Sequence, residues 1–115
     1  MNVIDLKQFQ MTVKTKRSRP CVMLKGDINE KAAWQLLKQL EKFQPALYPL
    51  NLDVAGVGTV HWFAANILKS GFDHLLRTRG EIFLLQQHKK PQPLSHGSFP
   101  SIFSSADVGS DERNP

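Results

Sequence analysis

Leu50-Asn51-Leu52-Asp53-Val54-Ala55-Gly56-Val57-Gly58-Thr59-Val60-His61-Trp62-Phe63-Ala64 opens the stretch that decides the fold. Leu50, Leu52 and Val54 alternate with polar neighbours, the period-two pattern of a buried strand. Gly56-Val57-Gly58-Thr59-Val60 reads as a glycine-containing turn. From Trp62 to Arg79 the period changes: Ala64, Ile67, Leu68, Gly71, Phe72 and Leu75 fall at i, i+3 and i+4 spacing, with Leu76 beside them. That is one continuous helical stripe. A strand, a turn and a helix lying back on the sheet make half of a βαβ unit. In open α/β folds, partners and ligands dock at the carboxyl ends of strands, so function is expected at this turn.

The rest of the chain extends the same pattern in both directions. Phe9, Met11 and Val13 alternate with polar residues through Lys14, which predicts a half-buried strand. Cys21-Val22-Met23-Leu24 predicts its hairpin partner, and Lys25-Gly26-Asp27 is expected to leave the sheet, with Gly26 in unusual backbone angles. Asn29 has the character of a helix N-cap, and Ala33, Leu36, Leu37, Leu40 and Phe43 form the stripe of a first helix. Trp34 beside that stripe is read as the edge of the core, an anchor for a partner being the other possibility. Pro45 stops the helix, and Pro49 confines the regular part of the next strand to Leu50 onward. Gly80 ends the second helix after Arg77 and Arg79. Glu81 to Gln86 is a nearly continuous apolar strand, as expected when both faces are covered. The class is therefore α/β: a mixed sheet of about four strands with two main helices packed on one face.

Composition narrows the function classes. A chain of 115 residues, 41% hydrophobic, suffices for one domain with its own core. Residues 1–88 are read as that domain, and 89–115 as a Pro/Ser/Gly-rich segment, partly disordered, in which Phe99-Pro100-Ser101-Ile102-Phe103 could dock as a short strand or latch. The longest apolar runs fall short of the roughly 18–20 residues a membrane helix needs. Met1 to Asp5 has no basic region followed by an apolar one, so no secretory signal is expected. One cysteine, Cys21, fits a reducing compartment, and the expected location is cytoplasmic.

The net charge is +5, with Lys14, Lys16, Arg17 and Arg19 clustered between the first two strands. A nucleic-acid or anionic-membrane surface is one reading of that cluster; the bland one, a solvated hairpin tip, is preferred because the stretch is short, polar and ends in Pro, and no aromatic residue is interleaved to stack on bases. His61, His74, His88 and His96 make no zinc-ligand spacing with one another or with Cys21, so no metal is expected. Asp27 and Asp53 have no spacing that would suggest acid–base work; a strand-end Asp more often holds a neighbouring turn. Gly56-Val57-Gly58 is only a short glycine pair and makes a weak phosphate motif, and no P-loop or nucleophile elbow is present. No cofactor and no catalysis are expected.

Two strands, Gly26-Asp27-Ile28-Asn29, an amphipathic helix, Leu52-Asp53-Val54-Ala55-Gly56-Val57 and a long helix ending at Gly80 together resemble the STAS domain of bacterial anti-sigma factor antagonists and sulfate-transporter tails. The resemblance covers roughly Val22 to Leu85. In the family, Asp-Ser-Ser-Gly opens the second helix and a kinase phosphorylates a serine there. Here that position holds His61-Trp62-Phe63-Ala64, so no phosphorylation site is expected, and the family's Asp before the first helix is Asn29. The family's last helix is not visible after Gln87. The resemblance implies a protein-binding module whose partner is an anti-sigma factor-like kinase or a lipid-transport ABC ATPase, with a homodimer possible. Nucleotide binding, known for some relatives of the fold, finds no motif here. Thr59, His61, Trp62, Phe63 and Asn66 are the expected partner-binding residues.

Overall fold

The computed structural model describes residues 2–6, 9–86 and 90–94. Six strands form one sheet in sequential order: β1 (Asn2–Leu6), β2 (Phe9–Lys16), β3 (Arg19–Ile28), β4 (Leu50–Val60), β5 (Ile82–Leu85) and β6 (Gln92–Pro93). Helix α1 (Glu30–Lys42) joins β3 to β4, and α2 (Trp62–Thr78) joins β4 to β5. The β3–β4 and β4–β5 pairs are parallel and the other three antiparallel. Two successive right-handed crossovers that advance in one direction put their helices on the same face, and α1 and α2 pack side by side there.

Register makes the core. Val13, Val22, Leu52 and Leu84 lie opposite one another across four strands, and Leu50 lies opposite Ile82. All but the partly buried Val13 are fully covered, and they meet Leu36, Leu40, Leu68 and Phe72 from the helices. Asn29 caps α1 as expected, its Oδ1 accepting the Ala32 N–H at 2.9 Å. A methyl group on Gly71, in the middle of α2, would collide with Leu37. The glycine lets the two helices close on each other, at a helix-propensity cost of about 1 kcal/mol.

Several expectations need correcting. The fold class and its four expected strands stand, and β1 and β6 add an edge on each side. β6 and the buried Leu94, whose N–H bonds Ile82 O at 2.9 Å, carry the sheet past the boundary expected at residue 88. The expected disorder and the Phe99–Phe103 latch lie outside the described residues, as do His88 and His96. Within β5, Ile82 and Leu84 are buried while Phe83 and Leu85 are half-buried, so its apolar run does not mark two sealed faces.

The largest correction concerns 56–60, which is strand and not turn. β3 does not leave the sheet at Lys25 but runs on to Ile28, and β4 pairs with it as far as Val60. Between Met23↔Asp53 and Lys25↔Gly56, and again between Gly26↔Val57 and Ile28↔Val60, β4 uses three steps where β3 uses two. Each is a bulge-like irregularity that leaves ladder groups unpaired. The glycines relieve crowding there: a Cβ on Gly56 would stand 2.9 Å from Leu24 O, and one on Gly58 would stand 2.6 Å from Asp27 Oδ1.

Tyr48 closes the other end of the sheet. Its hydroxyl donates to Leu40 O at 2.9 Å, and its own carbonyl accepts from Arg19 Nη1 at 3.1 Å. Burial pushes the phenol up to about 12, against a smaller opposing pull from Arg79. A pKa raised in the folded state favours folding below the ordinary tyrosine value near 10. That stability is lost as pH rises from there toward 12. Denaturant titrations are expected to show an alkaline loss between pH 10 and 12 that is smaller in Tyr48→Phe. At neutral pH the same variant should be less stable by about 1 kcal/mol for its missing hydrogen bond.

Candidate functional site

The parallel strands bring the ends of β3 and β4 and the start of α2 to one end of the molecule. The ladder closes there with the His61 N–H on Ile28 O at 2.9 Å. Two aspartates hold the irregular stretch before it. Asp53 Oδ1 accepts the Ala55 N–H and Asp27 Oδ1 accepts the Thr59 N–H, both at 3.0 Å. Each carboxylate takes up a backbone donor from the stretch where β4 slips against β3. Asp27 and Asp53 thus have the bland role weighed for them, with backbone amides as partners.

His61 is the N-cap of α2, its Nδ1 accepting the Phe63 N–H at 3.3 Å. No Ser, Asp or Asn stands directly before this helix in the sequence, and Thr59 is two residues too early, so the usual capping residue types do not reveal it. A neutral imidazole nitrogen does the same work whenever its lone pair faces the helix. α2 has no acidic residue in its first turn, so no side-chain charge there offsets the positive end of its backbone dipole.

The aromatic residues of that turn stand in the open. Trp62 is 47% exposed and Phe63 42%. On the sequence alone the two rings could equally pack beneath the sheet or face a partner, or divide one in and one out; both are out. Trp62 stacks on His61 with centroids 5.9 Å apart, and meets Phe63 edge-on at 5.3 Å. Thr59 and Asn66 are exposed on either side in sequence. All five residues expected to bind a partner therefore lie between the end of β4 and the second turn of α2. Trp34, read as core edge, is 53% exposed on α1.

The basic cluster lies at the opposite end. Lys14 and Arg17 are exposed on the β2–β3 hairpin, whose turn residues Arg17 and Ser18 have φ of 51° and 67°. Arg19 is tied to Tyr48 O. His74 is exposed on α2, and among the described residues no group of His, Cys, Asp or Glu is placed to hold a metal. Among the described residues no helix is long and apolar enough to cross a membrane.

No family model matches the sequence, and a search of curated proteins finds no relative. Among solved structures, the chain is similar to an anti-sigma-factor antagonist STAS domain from Rhodobacter sphaeroides. The TM-score is 0.53 at 14% identity, over 69% of this chain and 87% of that one. The fold is the STAS fold, as the residue pattern implied.

The cap and its aspartate support can be tested by stability. His61→Ala is expected to destabilise the chain by about 0.5–1 kcal/mol, and His61→Asp to stabilise it, since a carboxylate is the better acceptor and complements the dipole. Equal stability of the two variants in urea would refute the capping role. Asp27→Ala should raise amide hydrogen exchange at Thr59 more than at Ala55, whose acceptor is Asp53.

Proposed function

We propose that the chain is a non-enzymatic protein-interaction module of STAS type in bacterial regulation. It binds a partner protein through residues 57–63 and the exposed first turns of α2. The observation that carries this reading is the pair of exposed rings, Trp62 and Phe63, on a helix start fixed by β3–β4 pairing. Large aromatic residues on rigid backbone are the side chains that most often dominate binding energy. With Trp62 and Phe63 in place of the family's serines, no hydroxyl in the first turn can take a phosphate. Binding is then constitutive or controlled by the partner.

Two partner classes follow from the resemblance: an anti-sigma factor-like kinase, or the ATPase of a lipid transporter that uses a STAS subunit. The nucleic-acid reading has less support, since the basic hairpin is remote from the aromatic end and one of its arginines is engaged internally. The cytoplasm, where both partner classes work, is the proposed location.

Trp62→Ala and Phe63→Ala are each expected to weaken partner capture in a crosslinking pull-down from the native cell by tenfold or more, with native far-UV circular dichroism. Recovery of a kinase-like protein or of an ABC-type ATPase would decide between the two classes. Unfolding of both variants would assign the rings to the core and end the interface reading.

A further inference from the structure

A second surface lies along the helices and shares only Asn66 with the site at the aromatic start of α2. α1 and α2 run side by side in the same direction and leave between them a groove of about 610 Å³. Leu37 and Gly71 meet in it, Trp34 and Ile67 form its apolar walls, and Asn66, Ser70 and His74 line the α2 side. From Trp34 to Glu41 the α1 wall spans eight residues, about 10 Å, or two helical turns.

The walls decide what conformation fits. Both are helices whose backbone groups are already bonded internally, so an extended peptide laid here would find no ladder for its own N–H and C=O groups. A helix satisfies its own backbone and packs beside two others at ordinary interaxial distance. Charge decides what kind of helix. The hollows along the outer side of α1 are lined by Lys31, Lys38, Lys42 and Arg79 against Glu30 and Glu41. A second copy would bring the same cationic excess, on a chain of net charge +5, against itself.

We propose that this groove receives an acidic amphipathic helix of a partner protein, with two or three large apolar residues at i, i+3/i+4 and i+7 spacing. The apolar stripe lies on Trp34, Leu37 and Ile67, and the acidic flank faces Lys31 and Lys38. The inference rests on the reading of the chain as a protein-binding module and adds a site with its own chemistry.

The test uses the full chain and a fluorescein-labelled synthetic helix of about 18 residues, Leu at the stripe positions and Glu elsewhere, long enough to hold helical structure. Anisotropy at 0.15 M salt should show saturable micromolar binding. It should be at least tenfold tighter than for a Leu/Lys counterpart or a scrambled Leu/Glu peptide. Trp34→Ala and Lys38→Glu should each weaken it about tenfold, whereas Trp62→Ala and Phe63→Ala should leave it unchanged. In a Trp62→Phe background the Trp34 emission should shift to the blue as peptide is added.

Equal binding of the Leu/Lys peptide, or none to millimolar concentration, overturns the proposal. So does sedimentation that shows self-association abolished by Trp34→Ala, which would make a second copy the occupant. A red shift of Trp34 emission in a Phe99→Ser, Phe103→Ser variant without peptide would make the chain's own C-terminal segment the occupant, and also overturns it. Failure here with pull-down still sensitive to Trp62 rejects the groove alone. Peptide binding with a pull-down insensitive to Trp62 rejects the aromatic site alone.

Discussion

The parallel pairing of β3 with β4 is the constraint on which the rest depends. It is the ladder that joins the N-terminal hairpin to the β4–α2–β5 unit. Its first half is regular and sets the row from Val22 through Leu52 to Leu84 beneath the helices. Its second half is irregular, and that irregularity has consequences for the molecular surface. Two additional steps in β4 carry the chain forward without breaking contact with β3, so α2 starts level with the last residue of the neighbouring strand.

Irregular parallel pairing leaves backbone donors outside the ladder, and each needs a side-chain or water partner. Asp27 and Asp53 meet two of these donors. Glycine at 56 and 58 lets the strands approach where a side chain would strike Leu24 O or the Asp27 carboxylate. Together these residues fix the entry of the chain into α2. His61 then completes the helix start with a ring that also stacks on Trp62. The order at this end comes from hydrogen bonds of the strand ends, and the apolar rings need not be buried to be positioned.

The two surfaces on the helical side differ in kind. The start of α2 offers exposed rings on rigid backbone. The groove offers an apolar channel between helices with a basic outer margin. The first is set by the strand-end hydrogen bonds and the second by the packing of the helices. Gly71 brings α2 close to α1, so the channel above it is narrow, and Trp34 remains on its bank. In the proposed reading the two sites hold one partner at two places, and the second contact is strengthened by the first through effective concentration.

The sequence by itself determined the α/β class, both helices within a residue or two, the Asn29 cap and the interior faces of β2 and β4. Those features follow from local periodicity and from side chains that act within a few residues of their own backbone. The resemblance in element order also pointed correctly to the STAS fold. Only the tertiary structure decided that 56–60 is strand, that Asp27 reaches the Thr59 amide 32 residues on, that His61 caps α2 and that Trp34 faces outward. Each of these depends on a partner distant in the chain or on the direction of a single lone pair. Glycine beside valine reads locally as a turn, and it becomes a strand here because β3 lies alongside to pair with it.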